Sequence, residues 1–209
     1  MSSAPAATGP GSPVLGAREL QRLQTRARLF DAAVAEIARC GIAGADVAAI
    51  AAAVGVARGT FYFHFPTKEH VLVELERAEE VDIAARLEAG DADSDDLMSL
   101  LKQLVCYVLE AEQRLGPMVF RDMLGLHFSA TQPVSDELVE HPLAQFVIAA
   151  IAKAQMLNRV STEADARELG LIFMTGLFAL LAIGASGSGA GSDLLDRYVT
   201  TLVRGMEAQ

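Results

Sequence analysis

The run Arg58-Gly-Thr-Phe-Tyr-Phe-His-Phe-Pro-Thr-Lys68 sets an arginine, a threonine, a tyrosine and a histidine at alternate positions, with a lysine four residues beyond. Arg58, Thr60, Tyr62 and His64 are hydrogen-bonding side chains of a length that reaches base edges and phosphates in a major groove. Gly59 removes a side chain and lets the backbone approach a surface closely. By propensity alone Thr60–Phe65 reads as a strand closed by Pro66, because aromatic and threonine side chains suit a pleated sheet. No neighbouring segment offers that strand an edge.

The elements around the run give it a different form. Asp46 is placed to cap a short helix in which Val47, Ile50, Ala51 and Val54 fall at i, i+3, i+4 and i+7, and Gly55 stops it. A helix, a glycine turn and a second helix over about residues 45–64 have the spacing of a helix-turn-helix. Read as that second helix, the run puts Phe61 and Phe65 one turn apart against Ile50 and Val54, with Arg58, Thr60, Tyr62 and His64 on the open side. Lys68, at the start of the next helix, adds a phosphate contact beside that helix's N-terminal amides.

The charge pattern agrees with a polarised molecule. The formal net charge is −10, yet residues 1–70 hold seven positive side chains against five acids, and the rest holds ten positives against twenty-two acids. Only the first part suits phosphates. With 52% hydrophobic but 6% aromatic residues, the chain is rich in helix-forming alanine and leucine, and an all-α fold of about nine helices is expected.

Residues 1–17 are small, uncharged and Pro/Gly/Ser-rich, and read as a disordered arm. A first helix from Arg18 carries Leu23, Ala27, Phe30, Val34 and Ile37 on one stripe and ends at Gly41. Thr67 is placed to cap a long helix through Leu87, and the acidic loop 91–96 to cap another that Gly116-Pro117 breaks. Pro133 and Ser135 open a segment that Pro142 kinks or restarts. Ser161 or Thr162 starts an apolar helix, and Ser192 or Asp193 a last one to about Met206.

Residues 169–185 contain no charge over seventeen positions, at the bottom of the range that spans a bilayer, roughly 17–25. Without a Lys/Arg cluster or aromatic belt beside them, they read as a helix buried in the core or between subunits. Cys40 and Cys106 lack any CxxC or partner pattern and read as reduced core residues. No basic start followed by an apolar core marks a secretory signal, so a cytoplasmic location is expected. His70 and His141 read as surface or helix-start residues. With no metal-ligand spacing, nucleophile elbow or phosphate loop, no catalytic site, metal or cofactor is expected.

The sequence from Val47 to Leu72, and above all its Gly-Val-x-x-Gly-Thr-x-Tyr-x-His-Phe-x-x-Lys run, resembles the N-terminal domain of the tetracycline-repressor-like (TetR) family of transcriptional regulators. The resemblance covers about residues 22–75. It implies that Arg58, Gly59, Thr60, Tyr62, His64 and Lys68 contact DNA, and that residues 67–209 bind a small molecule and form the dimer while 18–66 read DNA. Two positions depart from the family pattern: Asp46 stands where threonine is common, and Ala57 where serine or threonine opens the second helix.

In the second half, Gly176 and Gly184 are expected to let a partner approach, with Leu180, Leu195, Tyr198 and Leu202 completing a four-helix interface; burial within one chain would use the same surface. Cys106, Tyr107, Met118, Phe120, Met123, His127, Phe128, Phe146 and Phe173 are candidates to line an apolar pocket, and an ordinary filled core would use the same types. The expected protein is a homodimeric repressor that binds a palindromic operator in double-stranded DNA and is released by a small apolar effector, without a membrane. The alternative is a ligand-binding or membrane-associated helical protein whose helix-turn-helix is vestigial.

Overall fold

Leu29, Ala33 and Ile37 recur every four residues with no exposed surface, and this stripe seats the first helix on the rest of the molecule. The computed structural model describes residues 16–90, 96–129, 139, 141–184 and 189–207. Among them are nine α-helices: α1 (Ala17–Gly44), α2 (Val47–Val54), α3 (Arg58–His64), α4 (Glu69–Ala89), α5 (Leu97–Leu115), α6 (Pro117–Gly125), α7 (Pro142–Met156), α8 (Ala166–Ala182) and α9 (Gly189–Met206). One 3-10 turn, Leu126–Phe128, follows α6, and the pairing of Val160 with Glu207 is an isolated bridge. The all-α expectation holds. No single described helix is long and apolar enough to cross a membrane.

The expected stripe of α1 is met in part: Ile37 is buried and Phe30 and Val34 pack beside the core, but Leu23 is 40% exposed, and Leu29 and Ala33 form the centre of the buried face. Gly41 does break the helix, with φ of +73°, and a further turn runs on to Gly44. Asp122 of α6 accepts a hydrogen bond of 2.6 Å from the Ile42 amide at this break, so α1 belongs to both halves of the molecule. Its middle packs under α2 and α3, and its end packs on α6.

The helix starts agree with expectation at some positions and differ at others. Asp46 caps α2 and Asp96 caps α5 through their side chains. Thr67 does not cap α4; its hydroxyl pairs with His70 Nδ1 at 3.0 Å, and the helix opens at Glu69. Asp165, not Ser161 or Thr162, caps α8 by accepting from the Arg167 amide at 2.8 Å. Pro142 restarts the chain as the first residue of α7, where its missing N–H costs nothing, and α9 begins at Gly189, before Ser192. The expected arm (apart from Gly16 and Ala17), acidic loop 91–95, opening around Pro133 and Ser135, and glycine-serine run 185–188 lie outside the described residues.

The main core joins α4 to α9. Gly170 of α8 packs so tightly on α7 that an added Cβ would stand 2.5 Å from Ile148. Burial on α4 follows Leu72, Glu76, Glu80, Ile83 and Leu87, so two of its inward positions are glutamates.

Candidate nucleic-acid interface and inner cavity

Gly55 sets the angle between α2 and α3. Its φ of +78° and ψ of +33° are left-handed, and the Val56 amide reaches back to the Ala51 carbonyl, closing a glycine C-cap. Arg28 donates to the Val54 carbonyl at 3.0 Å and ties the same end to α1. The chain turns through 98° between the two helices, as a helix-turn-helix requires. Phe61 and Phe65 are buried with Leu29, Ile50 and Val54, each ring contributing about 1.5–3 kcal/mol to holding α3 in place.

That anchoring decides what α3 presents outward. Arg58 and Gly59 are exposed, Tyr62 is 43% exposed, and Thr60 and His64 are half-buried. Arg58 Nη2 donates to the Tyr62 hydroxyl at 3.3 Å and its guanidinium lies over the Tyr62 ring at 5.6 Å, an arrangement that keeps the arginine charged and pre-shaped. An added Cβ at Gly59 would meet nothing within 4 Å. Burial, reinforced by Arg22 and Arg26, holds the His64 ring below its ordinary value, so it is neutral near pH 7. Phe63 is 73% exposed. Sequence reading passed over it as one more ring of an aromatic run, although it stands two positions from Phe61 and therefore on the opposite face of the helix.

Lys68, expected to contact phosphate, is engaged within the protein. Its ammonium donates to the Ala43 and Ala45 carbonyls, both at 3.3 Å, at the end of α1. Arg26 is engaged as well, paired with Glu74 and stacked on Phe65 at 4.7 Å. Arg22 pairs with Glu19 and Arg39 with Glu36. Of the seven cations in this part of the chain, most thus have partners within the protein.

The second half gathers only some of the expected pocket. A cavity between α4, α5, α6, α7 and α8 is lined by Phe120, Met123, Leu124 and Phe178, with Glu76 and Glu80 at one wall. Its space open to the centre of a water molecule is ≈ 20 Å³, enough for about one water. The expected apolar pocket is therefore mostly filled core in this conformation. Met118 and Phe128 face outward at 47% and 52% exposure, and Cys106 is an exposed free thiol, not a core residue. Tyr107 lies under the Arg86 guanidinium at 3.8 Å, Phe146 lines a separate groove against Leu87 and Leu100, and Phe173 packs on Tyr198 in the core. These departures share one cause: hydrophobic type does not tell which of a helix's faces meets the cavity.

Of the polar wall only His127 was expected. His127 Nε2 lies 2.6 Å from a Glu76 oxygen, and His141 Nδ1 lies 3.0 and 3.1 Å from the two Glu80 oxygens. Burial pushes the Glu80 carboxyl up, against the opposing pull of His141. His141 is 1% exposed, so it is an interior residue and not a surface one. The signal was present in the spacing: residues 72, 76, 80, 83 and 87 form one continuous stripe with glutamate at its second and third positions.

The expected dimer residues also divide. A Cβ at Gly176 would stand 2.3 Å from the Tyr198 hydroxyl, so this glycine admits Tyr198 of the same chain, whose hydroxyl donates to the Phe173 carbonyl at 2.5 Å. Gly184 lies beyond the end of α8 with φ of +86° and offers no helix face. Leu195 is 1% exposed, and Leu180 and Leu202 are half-buried against the core. The outward apolar residues here are Ile172, Ile183 and Leu194.

Residues 29–75, which span α2, α3 and the flanking parts of α1 and α4, match the sequence model described as bacterial regulatory proteins, tetR family. Over 89 residues the chain is 30% identical to the HTH-type transcriptional regulator AcrR of Shigella flexneri, covering 42% of this chain and 41% of that one. Over 83 residues it is 34% identical to the HTH-type transcriptional repressor SCO4008 of Streptomyces coelicolor, covering 40% and 42%. The matches thus span about two-fifths of each curated relative. Among solved structures, the FadR repressor of Thermus thermophilus in complex with lauroyl-CoA superposes with a TM-score of 0.74 at 18% identity, covering 88% of this chain and 96% of that one. RolR in complex with resorcinol gives 0.69 at 18% identity, with 91% of each chain covered. At that identity the likeness is one of fold.

Proposed function

We propose that this chain, whose residues 29–75 match the tetR family of bacterial regulatory proteins, is a member of that family and a DNA-binding transcriptional repressor that works as a homodimer and is released by a small ligand. The observation that carries the reading is the division of α3: Phe61 and Phe65 are buried while Arg58, Tyr62 and Phe63 stand outward from a 98° helix-turn-helix. Arg58 offers a forked donor for guanine, Tyr62 a hydroxyl for a base edge or phosphate, and Phe63 an apolar face for a thymine methyl. Thr60 and His64 lie at the flank of the same face, and Gly59 leaves the backbone bare for close approach. Lys68 reaches phosphate only by leaving the α1 carbonyls.

Two copies must set their α3 helices about 34 Å apart to enter successive major grooves of a palindrome. Ile172 of α8, Ile183 just after its end, and Leu194 of α9 would supply apolar surface for the two-fold contact. The effector would enter between α4 and the helices that line the small cavity, whose walls of Phe120, Met123, Leu124 and Phe178 suit a largely apolar molecule. FadR holds lauroyl-CoA and RolR holds resorcinol in the same fold, in keeping with a fold that takes small-molecule ligands. By opening the cavity the ligand would shift α4, which leads directly out of the reading head, and weaken DNA binding by its differential affinity for the two arrangements.

A mobility shift with the DNA upstream of the protein's own gene tests the reading. Retardation of that fragment over a scrambled duplex at ~100 mM salt is expected, with the preference lost in Tyr62→Ala. Equal retardation of both duplexes, or of neither, would refute it and favour a vestigial helix-turn-helix.

A further inference from the structure

Glu76 and Glu80 stand one turn apart on α4, and each is 3% exposed. Two carboxylates buried this close are costly unless something positive faces them. What faces them comes from two other elements: His127 in the 3-10 turn after α6, and His141 at the N-cap of α7. The imidazole rings are 5.0 Å apart, and one nitrogen or oxygen from each of Glu76, His127 and His141 lies within 4.8 Å of the other two. Glu80 meets the same His141 ring with both oxygens. The cluster lies in the second half of the molecule, and neither α3 nor the α1–α4 joint uses it.

We propose that Glu76, His127 and His141 form a site for a divalent first-row transition ion, zinc being the best match, with Glu80 as the hydrogen-bond partner that orients the His141 ring. Two carboxylates and two neutral imidazoles balance a charge of +2, so the bound ion replaces the competing demands of four buried polar groups with one neutral cluster. Bonds of ~2.0–2.2 Å put tetrahedral donors ~3.4 Å apart, a contraction that side-chain rotation supplies from the present spacing. Calcium and magnesium prefer oxygen-only shells, and copper(I) prefers sulfur, so the mixed nitrogen and oxygen set suits a divalent first-row ion, of which zinc takes such a four-coordinate shell without any redox partner. The adjoining cavity has room for about one water, a further ligand on the open side. The ion would bolt α4 to the turn after α6 and to α7. Only this consequence rests on the regulatory reading; the site stands on its own geometry.

The test uses the full chain, stripped with a chelator and then titrated with Zn²⁺ or Co²⁺, with metal content measured after desalting. One ion per chain is expected, with the visible absorption of four- or five-coordinate Co²⁺ and a Zn²⁺-dependent rise in Tm. Glu76→Gln and His127→Gln, shown to remain helical by circular dichroism, should each lose at least tenfold in affinity. A wild-type chain that retains no ion at micromolar metal overturns the proposal, and so does retention undiminished in both variants. None of these readings involves DNA: failure to bind DNA counts against the regulatory function alone, and failure to bind metal counts against this site alone.

Discussion

Two glycines that the sequence marks as close-approach sites have opposite surroundings, and the difference can be measured. Gly59 faces open space, so a Cβ there is free of clash in the isolated protein. Gly59→Ala should stabilise the domain by about 0.5–1 kcal/mol through its better helix propensity, and, on the proposed reading of α3, should weaken DNA binding by filling the space into which the duplex would come. Denaturant titration and fluorescence anisotropy read the two effects separately; unchanged DNA affinity would show that the backbone of α3 stays away from the duplex. Gly176 faces Tyr198 of its own chain. Gly176→Ala should therefore cost about 1–3 kcal/mol by overpacking, seen as a lower Tm at any protein concentration, whereas a glycine serving the dimer would show its loss chiefly as weaker self-association.

At the scale of elements, the aromatic run shows packing overriding propensity. Thr60–Phe65 has strand-forming side chains, yet α3 is a helix because Phe61 and Phe65 fill the core left by Leu29, Ile50 and Val54, and no partner strand is available. The start of α3 is its weak point, since Ala57 offers no side-chain cap. Ala57→Ser should add about 1 kcal/mol, read by thermal denaturation; no gain would mean that the Thr60 amide is already satisfied by its bond to the Ala57 carbonyl. The helix-turn-helix was legible from the sequence because its signals are local: an aspartate cap, a glycine turn and an i, i+3, i+4, i+7 stripe. The inner wall was not, because the Glu76–His127 and Glu80–His141 contacts join residues 51 and 61 positions apart, and a stripe of helical spacing does not disclose what it meets. The same limit explains the pocket residues that face elsewhere: Met118 and Phe128 have core-like types on outward faces.

For the whole molecule, charge and connection matter more than any single contact. The acidic second half repels DNA, and within the reading head Arg22, Arg26, Arg39 and Lys68 are already engaged. Affinity must then rest on few phosphate contacts, and the dependence of log affinity on log salt should be shallow, with Lys68→Ala flattening it by no more than about one; a steep slope would mean that these internal pairs open on DNA. Helix α4 packs on α1 beside α3 and also forms the cavity wall, so the proposed release by a ligand would act through this one element. The central claim is that α3 reads sequence in a two-fold complex. Selection of bound duplexes from a randomised pool tests it most directly: the account predicts enrichment of a palindrome with half-sites about one helical turn apart, lost in Tyr62→Ala, and a pool that returns no common sequence from the wild-type protein would contradict it.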